Sequence, residues 1–258
     1  SDDGQWLAYG LSTAGSDWVE YRVKNIVTRE DTADHLQWIK FSGASWTKDN
    51  QGFFYSRYDE PNEATKLEDV NYYQKLYYHR LGTPQTEDKL IYHRPDQKEW
   101  GFGGSITEDG KYLIISVWLG TDSKNLVFYQ NLEQPDGEVV ELISEFVASY
   151  SVIDNDGDTL WLRTDLHAPR GRVIAIDLNH PDPAHWQEII PETAETLEGI
   201  GLLNNQFIAD YLQDARSQIK IYALDGTLVR EVELPGIGSV GGFAGKRYDT
   251  KTFCTFTS

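Results

Sequence analysis

The sequence lacks the residues that stabilise small secreted domains and the apolar runs that cross membranes. It contains no methionine, and its one cysteine, Cys254, cannot form an internal disulfide, which fits a reducing compartment but is equally ordinary elsewhere. No apolar run approaches the roughly 18 residues of a membrane helix. The chain opens on a turn at Ser1–Gly4, without a basic segment followed by an apolar core. We therefore expect a soluble protein whose natural N-terminus is absent, from the cytoplasm or alternatively the periplasm.

Basic residues are also scarce. The chain has 23 Lys and Arg residues against 41 Asp and Glu residues, for a formal net charge of −18. Spread-out negative charge repels phosphate backbones and anionic lipid headgroups, so neither nucleic acid nor a membrane is an expected partner. Solubility is one explanation of the charge, and weak attraction of cationic peptides towards a cleft is the functional alternative.

What the sequence has is a repeated turn followed by an aromatic or aliphatic strand. These turns begin near positions 3, 49, 109, 156, 204 and 249, and the first four contain Asp with Gly close behind. The intervals of 46, 60, 47, 48 and 45 residues are in the range of propeller repeats. Each holds short segments rich in Val, Ile, Tyr, Trp and Phe, typical of four antiparallel strands. The sequence predicts an all-β β-propeller with about five blade-sized four-stranded repeats and an exposed loop at Asp59–Asp69.

Motifs for catalysis or metal binding are missing. No Gly-x-Ser-x-Gly nucleophile elbow occurs, and the Gly-x-Gly-x-x-Gly pattern at 236–241 lies between predicted strands. The six histidines show no His-Glu-x-x-His arrangement, and Asp154–Asp158 has its glycine at the wrong place for a calcium loop. We therefore predict no catalytic residue, no metal site and no cofactor in this chain.

One family resemblance runs along the whole chain. Its strongest segment is Leu76–Asp88, with the pattern Tyr-His-x-Leu-Gly-Thr-x-Gln-x-Glu-Asp, and further matches occur at Tyr9–Trp18, Ile39–Ser42, Ser45–Thr47 and Gly238–Gly245. With these motifs the chain resembles the propeller of the prolyl oligopeptidases, cytosolic serine peptidases that cut short peptides after proline. The resemblance implies that residues 1–258 form part of a seven-bladed propeller and that the hydrolase domain, with its Ser, Asp and His triad, is absent. The implied partners are that α/β-hydrolase domain and short proline-containing peptides, whose access the propeller gates.

The same resemblance assigns roles to individual residues. Phe41 matches an aromatic wall of the subsite two residues before the proline, and Gly101 and Thr121 match other positions lining it. Trp118 stands where animal members have an arginine that holds the substrate backbone, so this contact differs, because an indole has one donor and no charge. Asp17 matches an acidic residue that faces the hydrolase domain. From the residues alone, a core position for Phe41 and a turn role for Asp17 are equally good explanations.

Two other functions remain open at the level of sequence. The chain could be a stand-alone propeller that binds peptides or proteins, or a different propeller enzyme such as a glycosidase or lactonase. The second would need a carboxylate or metal cluster in a central channel, and no spacing in the sequence singles one out.

Overall fold

The computed structural model describes residues 1–13, 15–62, 71–134 and 137–258, which form two compact units, Ser1–Phe146 and Val147–Ser258. Nearly all of its regular structure is β-strand, with two short 3₁₀ helices at Gln85–Glu87 and Pro183–His185. The all-β prediction is confirmed. Most of the predicted loop at Asp59–Asp69 lies outside the described residues.

The first unit contains a seven-stranded sheet and a four-stranded sheet, both antiparallel. The strands of the first sheet are β1 Trp6–Ser12, β2 Val19–Asn25, β3 Asp31–Ile39, β4 Ser45–Trp46, β5 Gly52–Arg57, β6 Lys75–Arg80 and β7 Lys89–Tyr92. The strands of the second sheet are β8 Trp100–Ile106, β9 Tyr112–Leu119, β10 Asn125–Asn131 and β11 Val140–Ile143. The first sheet is two repeats joined edge to edge, because β3 and β5 share the single backbone pair Ile39–Arg57.

The second unit contains two four-stranded sheets and a two-stranded one. The third sheet comprises β12 Tyr150–Asp156, β13 Thr159–Thr164, β14 Arg172–Asp177 and β15 Gln187–Ile190. The fourth comprises β16 Thr196–Leu203, β17 Gln206–Gln213, β18 Arg216–Ala223 and β19 Leu228–Val232, and the fifth β20 Ser239–Gly242 and β21 Cys254–Thr257. In the three four-stranded sheets, strands adjacent in sequence are adjacent in space, as in an antiparallel meander.

The recurring turns connect the first and second strands of the four-stranded sheets. Asp109 accepts the backbone N–H of Lys111 at 2.9 Å while Gly110 takes φ +83°, which only glycine adopts without steric cost. Asn204 and Asn205 both have positive φ, +50° and +51°, as a two-residue type I′ hairpin turn requires. The repeated polar pairs therefore set the register of the first hairpin in each four-stranded sheet.

Strand β5 shows how aromatic residues hold neighbouring sheets together. All residues of its segment Gly52–Ser56 are buried. Because successive side chains of a strand point to opposite faces, both faces of β5 are covered. Phe53 and Tyr55 pack on one face with Val23 and Leu36 of β2 and β3, while Phe54 packs on the other with Phe102 and Phe128. The second unit has corresponding clusters around Phe207 and around Ile219. Burial of these large side chains is the main source of stability between repeats.

A charged group lies inside the first sheet, in the segment that resembles the prolyl oligopeptidases most closely. His79 is fully buried, and its two ring nitrogens lie 2.7 Å from Asp88 Oδ1 and 2.9 Å from Asp34 Oδ1. Burial alone would lower the pKa of His79, but these hydrogen bonds outweigh it and raise the pKa from 6.5 to about 9. The imidazolium donates to both carboxylates. The second carboxylate oxygen of Asp88, Oδ2, accepts a hydrogen bond from the Tyr55 hydroxyl at 2.6 Å. This arrangement joins β3, β6 and the start of β7.

Replacing His79 should therefore have a large effect that depends on pH. His79→Gln leaves at least one buried carboxylate without its cation, so we expect the free energy of unfolding to fall by about 3 kcal/mol at pH 6. Because the folded-state pKa is raised above the unfolded value, the stabilisation is complete below pH 6.5 and is lost as the pH rises through about 9. In urea denaturation, the difference in the free energy of unfolding between wild type and His79→Gln should be smaller at pH 10 than at pH 6.

The matched control is His180→Gln, because His180 is paired with Asp177 in a largely exposed position. Its effect should stay within about 0.5 kcal/mol. A His79→Gln variant as stable as His180→Gln at pH 6 would refute the ionic account of this cluster.

Candidate functional site

The strands of the first unit bring the predicted site residues to one end of its sheets. Antiparallel pairing aligns Ser12, Val19, Ile39, Arg57 and Lys75 across the first sheet. In the second sheet, the start of β8 and the end of β9 reach the same end. We call this end the rim and define it as residues 17–18, 40–42, 56–58, 73–75, 100–102 and 118–121. All five residues singled out in the sequence lie on it.

Phe41 and Asp17 meet at the rim around a lysine. Phe41 follows β3 with φ +54°, and 63% of it is exposed. The Lys40 ammonium lies 5.7 Å from the centre of the Phe41 ring, 5.0 Å from that of Trp18 and 3.7 Å from the Asp17 carboxylate. The Lys40 side chain is only 11% exposed, whereas that of Asp17 is 74% exposed. The cluster thus presents an aromatic face and a carboxylate to solvent above a largely buried cation.

Gly101 and Trp118 form a second part of the rim. They are cross-strand partners in β8 and β9, and the indole lies so close over the glycine that a Cβ there would sit 2.2 Å from the Trp118 ring. A Cβ on Gly103, two residues along the same face, would meet the same ring at 3.2 Å. The two glycines leave the space in which the indole lies. Thr121 follows in the exposed turn after β9.

A buried amide ties the two parts together. Gln74, 1% exposed, donates from Nε2 to the carbonyl of Lys40 at 2.8 Å and accepts the N–H of Phe102 at 2.6 Å. Ser56, equally buried, donates its hydroxyl to the carbonyl of Phe102 at 2.5 Å. These bonds hold the backbone beside Phe41 against the backbone beside Gly101. Sequence reasoning did not identify Gln74, although an amide directly before a strand of Leu and Tyr residues is a usable signal for a bridge of this kind.

The chemistry available at the rim is that of a binding surface. It offers aromatic faces, the ammonium groups of Lys40 and Lys75, the Arg57 guanidinium and the exposed Asp17 carboxylate, without a nucleophile activated by a neighbouring base. In residues 1–13, 15–62, 71–134 and 137–258, no three His, Cys, Asp or Glu side chains are grouped as metal ligands. The described chain likewise has no helix of the length and hydropathy needed to cross a bilayer.

Repeated four-stranded antiparallel sheets with short hairpin connections are typical of the β-propeller class. The chain belongs to the prolyl oligopeptidase family, since residues 1–258 match the family described as the prolyl oligopeptidase N-terminal β-propeller domain. The propeller prediction and the family resemblance are both confirmed.

Individual relatives agree with this assignment. The chain is 36% identical over 255 residues to the prolyl endopeptidase of Elizabethkingia miricola, covering 99% of this chain and 36% of that protein. It is 31% identical to a dual function macrocyclase-peptidase of Galerina marginata, covering all of this chain and 37% of that protein. The chain therefore spans little more than a third of the length of these relatives.

Solved structures show the same relation. A prolyl endopeptidase structure superposes with a TM-score of 0.91 at 35% identity, covering 100% of this chain and 37% of that one. Prolyl oligopeptidase B from Galerina marginata, bound to a 35mer hydrolysis and macrocyclization substrate, superposes at 0.89 with 29% identity, covering 98% of this chain and 37% of that one. The roles of Phe41, Gly101, Trp118, Thr121 and Asp17 remain predictions.

The contact between Gly101 and Trp118 generates a coupled-substitution test. We expect Gly101→Ala to lower the free energy of unfolding by about 1 to 3 kcal/mol, because the new methyl group overlaps the indole. In a Trp118→Ala background the same change should cost much less, so the two substitutions are non-additive. Urea denaturation of the four variants measures this coupling.

Gly201→Ala is the matched control, because Gly201 also lies inside a strand but has no heavy atom within 4 Å of an added Cβ. Additive effects of Gly101→Ala and Trp118→Ala, within about 0.3 kcal/mol, would show that the indole does not occupy the space above Gly101.

Proposed function

We propose that residues 1–258 are the non-catalytic propeller of a prolyl oligopeptidase-type serine peptidase. In this proposal the chain forms one propeller domain, and the catalytic triad belongs to an α/β-hydrolase domain outside this sequence. The propeller admits short proline-containing peptides and supplies part of the wall of their binding cleft. Two findings support the assignment: the chain belongs to the family, and it matches 36% of the length of a prolyl endopeptidase.

The observation that carries the binding role is the conformation of Phe41. A phenylalanine with φ +54° is strained by about 1 kcal/mol, and an exposed position returns little of that cost through burial. Strain of this kind persists where a function requires the side chain. The exposed ring gives a peptide side chain or a proline ring an apolar surface and a π-face.

The neighbouring residues complete the proposed wall in a way that differs from animal relatives. The Trp118 indole, supported by the flat backbone of Gly101, offers a second apolar surface, and Thr121 offers a hydroxyl at the edge. Because tryptophan has no charge, substrate backbone contacts here would depend on stacking and on one N–H rather than on a guanidinium. Asp17, exposed beside Lys40, is available to pair with a cationic residue of the hydrolase domain.

The Phe41→Asn substitution distinguishes a substrate-binding role of this side chain from a packing role. In a chimera with these 258 residues in place of the propeller of the Elizabethkingia miricola enzyme, we expect KM for benzyloxycarbonyl-Gly-Pro p-nitroanilide to rise about tenfold with kcat within twofold. The stability of the 258-residue chain should stay equal or rise, because asparagine tolerates φ +54° better than phenylalanine. Initial-rate kinetics and thermal unfolding measure the two effects.

The control is Phe253→Asn, since Phe253 is 92% exposed and lies outside the rim. It should leave KM unchanged. An unchanged KM in the Phe41→Asn chimera, together with a lower unfolding temperature, would assign Phe41 a structural role and contradict the proposal.

The isolated 258-residue chain should not hydrolyse the same substrate. The proposal assigns no nucleophile to this chain, so p-nitroaniline release should equal the uncatalysed rate with or without a serine-directed inhibitor. Turnover that copurifies with the chain through two columns and is abolished by that inhibitor would refute the proposal.

A further inference from the structure

The second unit contains a polar cavity to which the family resemblance assigns no role. It has a volume of about 190 Å³ and lies between the third and fourth sheets, where β13 ends and β16 begins. Arg163 and Arg170 line it together with Ser149, Thr164 and Thr196. A space of this size takes a few water molecules or one small polar group with part of a residue.

Arg163 occupies a position that the repeat makes equivalent to Trp118. In the second sheet, the penultimate residue of β9, Trp118, pairs with Gly101, the second residue of β8. In the third sheet, the penultimate residue of β13, Arg163, pairs with Ser151, the second residue of β12. The same place in the repeat thus carries an indole in one sheet and a guanidinium in the next.

Arg163 uses only part of its hydrogen-bonding capacity within the protein. Its Nη1 donates to the carbonyls of Leu197, at 2.7 Å, and Glu198, where the register of β16 with β17 is irregular. Arg170 donates from Nη1 to the carbonyl of Ala194 at 2.7 Å. No carboxylate in the described part of the chain forms a salt bridge with either guanidinium, so neither charge is paired directly, and several N–H donors remain on each.

The remaining groups at the cavity indicate the charge of its ligand. Asp165 also lines it, but one of its oxygens accepts the backbone N–H of Ser149 at 2.7 Å. Glu198 lines the cavity, and Glu192 accepts the N–H of Arg170 at 2.7 Å. Two guanidinium groups attract an anion, while three nearby carboxylates disfavour one with two charges. A monovalent carboxylate satisfies both conditions and fits the planar fork of arginine.

We propose that this cavity binds the carboxylate of a short peptide, with Arg163 and Arg170 as the charged donors. The Thr164 hydroxyl, in a residue 2% exposed, accepts the N–H of Leu166 at 3.1 Å and has its own proton available for a carboxylate oxygen. The remaining volume takes part of the terminal residue. This site does not depend on the peptidase role, because its residues and its ligand are defined without the rim.

The test is an NMR titration of the 258-residue chain with N-acetyl-triglycine, observing the arginine Nε–H resonances. We expect saturable shifts at Arg163 and Arg170, and binding at least tenfold weaker for N-acetyl-triglycine amide, which lacks the negative charge. Acetate and inorganic phosphate are titrated separately. Acetate binding as tightly as the peptide would overturn the peptide assignment in favour of a small free carboxylate, and tighter binding of phosphate would overturn the carboxylate itself.

Two variants and one control test the donors. Arg163→Lys keeps a cation that can reach the carbonyls of Leu197 and Glu198 but loses the planar fork, and Arg170→Gln removes the exposed charge. Each should weaken N-acetyl-triglycine binding at least fivefold while the unfolding temperature stays within a few degrees. Arg230→Gln removes an exposed charge from β19, away from the cavity, and should have no effect. Equal binding by all four proteins, or equal binding of the acid and its amide, would overturn the site.

Discussion

A buried positive charge constrains the packing of the first unit. The His79 imidazolium has no access to water, so its charge is tolerable only while Asp34 and Asp88 both remain in contact with it. That requirement holds β3 against β6. Strand β5 lies between these two strands, and it pairs with β3 at one residue only. The end of β3 leads to Phe41 and the start of β6 follows Gln74, so the geometry of the rim depends on this contact. Within the segment Leu76–Asp88, the cluster gives His79 and Asp88 a structural role.

Much of the fold could be predicted because its signals are local. Asp109 and Gly110, or Asn204 and Asn205, form their turns through their own backbone preferences, independently of the rest of the chain. The joining of the first two repeats into one sheet could not be predicted, because the pairing of Ile39 with Arg57 depends on tertiary packing rather than on the local pattern. The ion pair of His79 could not be predicted either. His79 is part of a recognisable motif, but its partner Asp34 lies 45 residues away in the chain and contacts it only in the fold.

For the candidate site, the family motifs indicate the candidate residues, and the structure shows what each of them contacts. Motif matching pointed to Gly101 and Trp118 separately, but not to the indole lying over the glycine. It matched Asp17 to an acidic residue that faces the hydrolase domain but did not indicate its contact with Lys40, and it gave no reason to select Gln74. These contacts join residues far apart in the chain and depend on side-chain directions that spacing does not encode. Arg163 was missed for a related reason, since its equivalence to Trp118 appears only when strand registers are compared.

The single backbone pair between β3 and β5 also bears on how the first unit opens. In a repeat protein, neighbouring repeats usually contact each other through side chains, and each can fluctuate nearly independently. Here the first two repeats share a continuous ladder from β1 to β7. We therefore expect their amide protons to exchange as one cooperative unit, and those of the second sheet, joined to them by side-chain packing and side-chain hydrogen bonds, to exchange as a separate unit.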